Sequence, residues 1–133
     1  MYKRQTLTIP STATKVITVG EYDARFDQAA AFSGRGYTRA TNQVKPDLVA
    51  PGVEIMSCAP GGGYQVRTGT SMATPFVTGS AALLMQWGIV NGNDAYLYGE
   101  KMKAYLIRGA RKLPGFTVYP NPVLGDNGII VSS

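Results

Sequence analysis

Polar and apolar residues are arranged in blocks along this chain, and the longest apolar block begins at residue 72. Residues 72–87 hold no charged side chain and follow a polar, glycine-rich stretch. An apolar run of this length predicts a helix that is buried on most sides. The run contains several small residues, which let a helix approach other backbone closely. The pattern therefore favours a central helix over a surface helix.

Shorter apolar segments come before this helix and predict strands. Residues 16–19 are mostly β-branched and predict a buried strand, whereas the acidic and polar residues 20–27 predict a loop. Residues 55–58 and 64–68 predict two strands of a hairpin. The sequence Pro-Gly-Gly-Gly at residues 60–63 would form the turn between them.

Glycine and proline set the remaining boundaries. Gly88 is predicted to end the first helix. A second helix is predicted over residues 98–108, because Met102 and Leu106 recur at helical spacing, and Asn93 or Asp94 would cap it. The two prolines of residues 45–53 argue against a regular helix and against a central strand there.

Ser71 directly precedes the long apolar block and is the first candidate for chemistry. We expect it at or just before the first residue of the helix. There it would meet the free N–H groups of the first turn and the positive end of the helix dipole, which suit an oxygen nucleophile and the oxyanion it creates. A simple N-cap serine is the alternative, but capping requires neither Gly69 before it nor the small residues after it.

A family resemblance rests on several motifs. Residues 69–75 (Gly-Thr-Ser-Met-Ala-Thr-Pro) resemble the nucleophile motif of the subtilisin-like serine proteases, or subtilases (peptidase S8). Residues 45–52 (Lys-Pro-Asp-Leu-Val-Ala-Pro-Gly) resemble the segment that leads into that motif. Residues 16–20 resemble a strand of the family, and residues 32–36 resemble its Phe-Ser-x-x-Gly turn. Residues 119–122 (Tyr-Pro-Asn-Pro) look like a clostridial branch that includes spore-germination proteases.

The resemblance implies an α/β fold, the C-terminal part of a parallel-sheet protease with a buried central helix that starts at the nucleophile. It implies a serine endopeptidase in which Ser71 is the nucleophile and its backbone N–H is one oxyanion donor. Gly69 would keep the backbone clear of substrate, and Thr70 would position the elbow. Met72 lies beside the nucleophile, and Arg67 would border the pocket for residues just after the scissile bond.

The chain contains no histidine, although the family uses an aspartate, a histidine base and the serine, in that order. We therefore expect residues 1–133 to be the serine-bearing C-terminal portion of a catalytic domain. Its expected partners are a protein or peptide substrate and the missing N-terminal part of the domain. Two alternatives remain open: a catalytically inactive, subtilase-like regulatory or binding module, and a plain interaction domain with a capped helix.

Composition and charge narrow the other partner classes. With 44% apolar and 16% charged residues, the chain is expected to be globular. The net charge of +5 includes a basic region at residues 101–112. No aromatic residues interleave with those charges in a nucleic-acid motif, so a solvated helix face is favoured over nucleic-acid binding. No stretch reaches about 18 consecutive apolar residues, so no membrane span is expected.

No cofactor is expected for the chemistry itself, although the resemblance implies that structural calcium can occur in the full enzyme. Asp23 is a weak candidate for a cation site, because the family places such a site near it in some members. A single carboxylate is far from a calcium cage, so a solvated loop carboxylate is favoured. Cys58, the only cysteine, is expected to be structural. Localisation is left open, and the resemblance suggests a secreted or spore-envelope protein.

Overall fold

The computed structural model describes residue 10, residues 13–30, the backbone of residues 36–37, and residues 44–113. The predicted turn at residues 32–36, except the backbone of its last residue, and the motif at residues 119–122 lie outside these ranges. The elements follow in the order β1 (Val19–Asp23), β2 (Gln28–Ala29), β3 (Gly36–Tyr37), β4 (Val44–Lys45), β5 (Leu48–Pro51), β6 (Ile55–Cys58), β7 (Tyr64–Arg67), α1 (Thr70–Met85), a π-helical turn (Gln86–Val90) and α2 (Glu100–Gly109).

A three-stranded sheet with the order β2-β1-β5 forms the base of the described fold. Strands β1 and β5 run parallel, with Val19 opposite Leu48 and Glu21 opposite Ala50. Strand β2 pairs antiparallel with the C-terminal end of β1. Parallel pairing of strands that are distant in sequence needs a crossover connection, as in α/β proteins. The predicted fold class is therefore confirmed.

Helix α1 packs on one face of this sheet. The buried cluster joins Leu48 and Ala50 of β5 to Ala73 and Val77 of α1. Alternate residues of a strand share a face, so Glu21, which lies opposite Ala50, is on the face that α1 covers. Helix α2 and the segment before it close the same core through Leu97, Met102 and Leu106.

The predicted strand at residues 16–19 is displaced in the structure, and the loop predicted over residues 20–27 is wrong for residues 20–23 but right for the turn at residues 24–27. The strand is β1 (Val19–Asp23), and Glu21 at its centre is fully buried. An acidic residue normally avoids such a position, because burial penalises its charge. That is why a pattern of polar residues suggested a loop.

The expectation that the prolines of residues 45–53 argue against a central strand agrees with the described sheet, in which β5 (Leu48–Pro51) forms one edge. Strand β5 (Leu48–Pro51) is almost completely buried. Pro46 lies before the strand and Pro51 is its last residue. At that end the ladder continues through the Gly52 N–H, which donates to the Tyr22 carbonyl at 3.2 Å. The prolines thus flank the ladder and do not interrupt it.

Helix α1 begins at Thr70, one residue before the predicted start at Ser71, and the helical segment does not end at Gly88. It continues through the π-helical turn to Val90, and Gly88 is buried within that turn. A Cβ at Gly88 would lie 2.8 Å from Leu97 Cδ2 and 2.9 Å from the Asp94 carbonyl oxygen. Glycine is therefore needed here for close packing against the following segment, not for termination.

Helix α1 was predicted to be buried on most sides, but the described part of the chain covers only one side of it. Ala73 and Val77 are its buried residues. Large apolar side chains on the outer surface of the helical segment remain exposed, including Leu83 of α1 at 68% and Trp87 of the π-helical turn at 46%. By length and composition alone, the helical segment at residues 70–90 is also long and apolar enough to cross a membrane, a property that core helices of globular proteins share. That result runs against the expectation of no span, and the position of α1 against the sheet favours a core helix.

The hairpin and the second helix are confirmed. Strands β6 and β7 pair antiparallel, and the glycines at residues 61–63 all have positive φ. Helix α2 buries Met102 and Leu106. Its N-cap is Gly99, so the predicted capping by Asn93 or Asp94 is wrong. Asp94 instead accepts the Tyr96 N–H at 3.2 Å.

A buried ion cluster, unforeseen from the sequence, ties the start of β1 to α2. Asp47 Oδ2 lies 2.7 Å from Lys45 Nζ, and Asp47 Oδ1 lies 2.9 Å from Lys103 Nζ. The same carboxylate accepts the Thr18 N–H at 2.7 Å. Burial lowers the pKa of Lys45, while the Asp47 carboxylate opposes that shift. We name Asp47, Lys45 and Lys103 the Asp47 cluster.

Candidate active site

The turn from β7 into α1 is held by backbone hydrogen bonds around Gly69. The Gly69 N–H donates to the Gly52 carbonyl at 2.8 Å, and the Met72 N–H donates to the Gly69 carbonyl at 2.9 Å. Gly69 is the N-cap of α1 and has φ 154°, a conformation that residues with side chains rarely adopt. Glycine is thus required for the turn that starts the helix.

Ser71 is the second residue of α1, and its side chain is exposed. No side-chain hydrogen bond caps this helix. The interpretation of Ser71 as an N-cap is therefore wrong, because the cap position belongs to Gly69. The N–H of Ser71 belongs to the first helical turn, whose N–H groups have no intrahelical acceptor. These groups and the helix dipole favour negative charge beside Ser71.

An apolar depression of about 330 Å³ opens beside Ser71 between strand β6 and the first turns of α1. Its remaining lining residues are Ile55, Met56, Ser57, Met72, Pro75 and Phe76. Ser71 also lines a second depression, together with Pro10, Thr70, Thr74 and residues 16–19. Because Ser71 is exposed and lines both depressions, a peptide could reach its hydroxyl.

The structure brings four of the predicted site residues together at this turn: Gly69, Thr70, Ser71 and Met72. Arg67 lies slightly apart, as the last residue of β7. It is exposed and pairs across the hairpin with Ile55, which lines the first depression. With its amide oxygen turned towards Arg67, the Gln65 side chain accepts hydrogen bonds from the guanidinium.

Asp23 lies away from this turn, at the end of β1, and its carboxylate is bound by Arg25. It accepts hydrogen bonds from the Arg25 N–H at 3.0 Å, from Nε at 3.0 Å and from a terminal guanidinium nitrogen at 2.7 Å. These bonds to Arg25 lower the pKa of Asp23. No group of three or more His, Cys, Asp or Glu side chains gathers within the described ranges. Asp23 and its surroundings therefore do not fit a cation site.

The basic region at residues 101–112 is largely paired. Lys101 bonds Asp94 at 2.5 Å, and Arg111 bonds Asp27 at 2.9 Å. Lys103 belongs to the Asp47 cluster. These three cations have carboxylate partners within the protein, and Lys103 is largely buried, unlike a side chain of the predicted solvated helix face. Cys58, which we expected to be a structural residue, is exposed on the hairpin.

Sequence reasoning missed Glu21, which is buried close to the turn. A Cβ at Gly52 would lie 2.6 Å from Glu21 Cβ and 2.9 Å from both Glu21 Oε2 and the Gly69 carbonyl oxygen. Desolvation raises the pKa of the Glu21 carboxyl. The signal available in the sequence was Tyr22, because an aromatic residue after Val19 could have extended the predicted strand over Glu21.

The site is chemically incomplete within this chain. A serine hydroxyl at a helix N-terminus has an oxyanion donor nearby, but a weakly acidic hydroxyl needs a general base to become a nucleophile. The chain has no histidine to serve as that base. The geometry can therefore present a serine hydroxyl and an oxyanion donor, and no histidine of residues 1–133 can act as the base.

Comparison with known proteins identifies the relatives of this site. The model of the subtilase family matches residues 2–125. The intracellular serine protease of Paenibacillus polymyxa is 44% identical over 122 residues, which cover 91% of this chain and 33% of that protein. The serine protease AprX of Bacillus subtilis is 39% identical over 102 residues, covering 62% of this chain and 23% of that protein. The chain thus spans a third or less of these two relatives.

A solved structure extends the comparison to three dimensions. The CspB protease of Clostridium perfringens is 49% identical and superposes with a TM-score of 0.86. The match covers 92% of this chain and 26% of that chain. The fold is therefore similar to about a quarter of a larger protease. The organism of that protease agrees with the resemblance to a clostridial branch.

Proposed function

We propose that this chain, which belongs to the subtilase family, supplies the nucleophilic serine of a subtilisin-like serine endopeptidase. One observation carries the proposal. The family's nucleophile motif folds so that Ser71 is exposed on the first turn of α1 and lines two open depressions. The inactive regulatory module is not favoured, since the matched relatives are named as proteases. The plain interaction domain loses its basis, because Ser71 does not cap the helix.

The proposed reaction is hydrolysis of a peptide bond through an acyl-enzyme. Ser71 Oγ attacks the carbonyl carbon, and a histidine from the rest of the domain accepts the hydroxyl proton. The same histidine returns that proton to the leaving amine as the C–N bond breaks. Water then attacks the Ser71 ester, which releases the acid and restores the hydroxyl. An aspartate from the same missing part would orient the histidine.

The described residues have separate roles in this reaction. The Ser71 N–H donates to the oxyanion, and the α1 dipole adds to that stabilisation. Gly69 permits the backbone turn, and it presents no side chain to a bound peptide. Thr70 fixes the elbow, because its carbonyl accepts the Thr74 hydroxyl at 2.9 Å within the first turn of the helix. Met72 forms the wall of the depression next to the nucleophile.

The rest of the catalytic domain is the proposed partner of this chain. Helix α1 exposes Leu83, and the turn after it exposes Trp87 and Val90. Surfaces of this kind on a helix that packs against a parallel sheet normally meet further protein. We infer that the aspartate- and histidine-bearing part of the domain covers them, and that residues 1–133 form a partial domain. The substrate is a protein or peptide, and no cofactor takes part in the chemistry.

The test is a chimeric protease in which this chain replaces the matching part of the CspB protease of Clostridium perfringens. The chimera should hydrolyse a generic peptide, whereas the isolated chain should not, because it lacks a base. Ser71→Ala should reduce turnover by several orders of magnitude. Ser80→Ala is the matched control, since Ser80 lies in the same helix and its hydroxyl bonds the Phe76 carbonyl. If Ser71→Ala and Ser80→Ala retain equal turnover, the proposal is wrong.

A further inference from the structure

Glu21, Gly52 and Gly69 form a layer beneath the start of α1. Glu21 lies on the sheet face that α1 covers, and its side chain has no exposed surface. Gly52 packs so closely between Glu21 and the Gly69 carbonyl that there is no room for a methyl group, which would come within 2.9 Å of both. Interiors at this density transmit small displacements, because neighbouring atoms have no free space to absorb them.

This layer is joined to Ser71 by two backbone hydrogen bonds. The Gly52 carbonyl accepts the Gly69 N–H at 2.8 Å, and the Gly69 carbonyl accepts the Met72 N–H at 2.9 Å. Ser71 lies between the two bonded residues, Gly69 and Met72. The position of Gly52 therefore determines where the first turn of α1 begins, and Glu21 limits where Gly52 can lie.

We propose that Glu21 is a positioning residue for the nucleophile: its side chain packs against Gly52 and so fixes the carbonyl that anchors Gly69 at the start of α1. The inference rests on the proposed function, and deepens it, because the residue acts on the same serine. Glu21 does not touch substrate in this role. It holds the backbone that sets the direction of the Ser71 hydroxyl and N–H.

The shape of the Glu21 side chain indicates which substitution should be tolerated. Burial raises the pKa of the carboxyl, so a neutral side chain of the same shape is a suitable replacement. Glutamine has nearly the shape of a neutral glutamic acid, so Glu21→Gln should preserve the contact with Gly52. Glu21→Asp withdraws the carboxyl by one methylene, and Glu21→Ala removes it. Both retain Cβ, the Glu21 atom nearest to Gly52, but they remove the carboxyl oxygen that lies beside it, which leaves Gly52 space to shift on that side.

Kinetics of the CspB chimera test this order of effects. A misplacement of about 1 Å near a reacting group can cost about 100-fold in rate. We expect Glu21→Ala to lower kcat about 10- to 100-fold with little change in KM. The kcat of Glu21→Gln should stay within about twofold of wild type, and the kcat of Glu21→Asp should lie between those of Glu21→Ala and Glu21→Gln. Val49→Ala is the matched control, because Val49 is fully buried, lies opposite Gly20 on the sheet face that α1 does not cover, and lines neither depression at Ser71. It should leave kcat nearly unchanged.

Several outcomes would overturn the inference. Unchanged kcat in Glu21→Ala would do so, as would equal losses of kcat in Glu21→Ala and Val49→Ala, which would indicate general loosening of the sheet. A rise in KM at constant kcat would place Glu21 in substrate binding instead. Loss of kcat in Glu21→Gln equal to that in Glu21→Ala would also contradict a packing role.

Amide hydrogen exchange in the chimera gives a readout that does not depend on activity. Glu21→Ala should speed exchange of the Gly69 N–H, which donates to Gly52, and leave the hairpin-turn amide of Ala59, which donates to the Gly63 carbonyl, unchanged. If the wild-type chimera cleaves no peptide but this exchange pattern appears, the proposed function fails and the positioning role stands. If the Gly69 amide is unaffected, the positioning role fails, whatever the activity.

Discussion

Replacing Asp47 by asparagine should destabilise the protein strongly, because Asp47 is the single carboxylate of the Asp47 cluster. It faces two ammonium groups at 2.7 Å and 2.9 Å, and the Lys45 side chain is only 1% exposed. Asparagine can still accept the Thr18 N–H, so the change removes charge and little else. Lys45 and Lys103 would retain hydrogen bonds to the Val16 carbonyl. No opposite charge would then compensate the burial of Lys45.

The size of the effect follows from burial. Removing one partner of a buried ion pair typically costs about 3–5 kcal/mol, because the remaining charge is buried without compensation. Since the Val16 carbonyl still accepts hydrogen bonds from both lysines, we expect the free energy of unfolding to fall by about 3 kcal/mol, the lower end of this range. The matched control is Asp27→Asn, which breaks the pair with Arg111. Those side chains are 38% and 43% exposed, so the loss should be about 1 kcal/mol or less.

The assay is urea denaturation of the CspB chimera, comparing the free energy of unfolding of both variants with wild type. pH supplies a second readout. Burial lowers the pKa of Lys45, so the folded state holds that proton less tightly than the unfolded chain, and stability rises as pH increases from the folded pKa of Lys45 towards 10.5. Asp47→Asn should lower the folded pKa of Lys45 further and so widen this pH range. The free energy of unfolding that it loses should be smallest at alkaline pH. Equal losses for Asp47→Asn and Asp27→Asn, with no dependence on pH, would refute the reasoning.

Three other perturbations have expected results. The isolated chain at micromolar concentration should show no sharp cooperative thermal transition, since its helical segment exposes large apolar side chains; a sharp transition in a monomer would contradict this. Peroxide should inactivate the wild-type chimera faster than Met72→Ala, because a sulfoxide adds polarity and bulk beside the oxyanion site; equal sensitivity would remove Met72 as the cause. If Arg67 faces the leaving-group side, Glu just after the scissile bond should be preferred over Lys by about 1 kcal/mol, roughly fivefold. Arg67→Ala should erase that preference and high salt should shrink it, whereas no preference at low salt means that Arg67 points elsewhere.

Features that depend on interactions between residues close in sequence could be predicted from the sequence. The run of glycines at residues 61–63 predicted the hairpin turn, because positive φ is accessible to glycine at little cost. The spacing of Met102 and Leu106 predicted the buried side of α2. The position of Ser71 at the start of a helix also followed from composition on either side of it. In each case the deciding interaction lies within a few residues.

Features that depend on tertiary packing were not readable. Glu21 looked like a loop residue, and only the approach of Gly52 and Gly69 explains why its side chain is buried. Gly88 looked like a helix terminator, whereas its role is contact with Leu97. The exposed side chains of α1 contradict the burial that its composition predicted. That difference has a physical reason if further protein covers the helix.

The most direct measurement is to identify the residue that a fluorophosphonate probe modifies. Such a probe reacts with a serine hydroxyl that an assembled base activates. In the wild-type chimera, mass spectrometry of the digested protein should place one phosphonyl group on Ser71 within minutes, while the isolated chain and the Ser71→Ala chimera should stay unlabelled. Labelling on another serine, or labelling of the Ser71→Ala chimera at the wild-type rate, would contradict the assignment of Ser71 as the nucleophile.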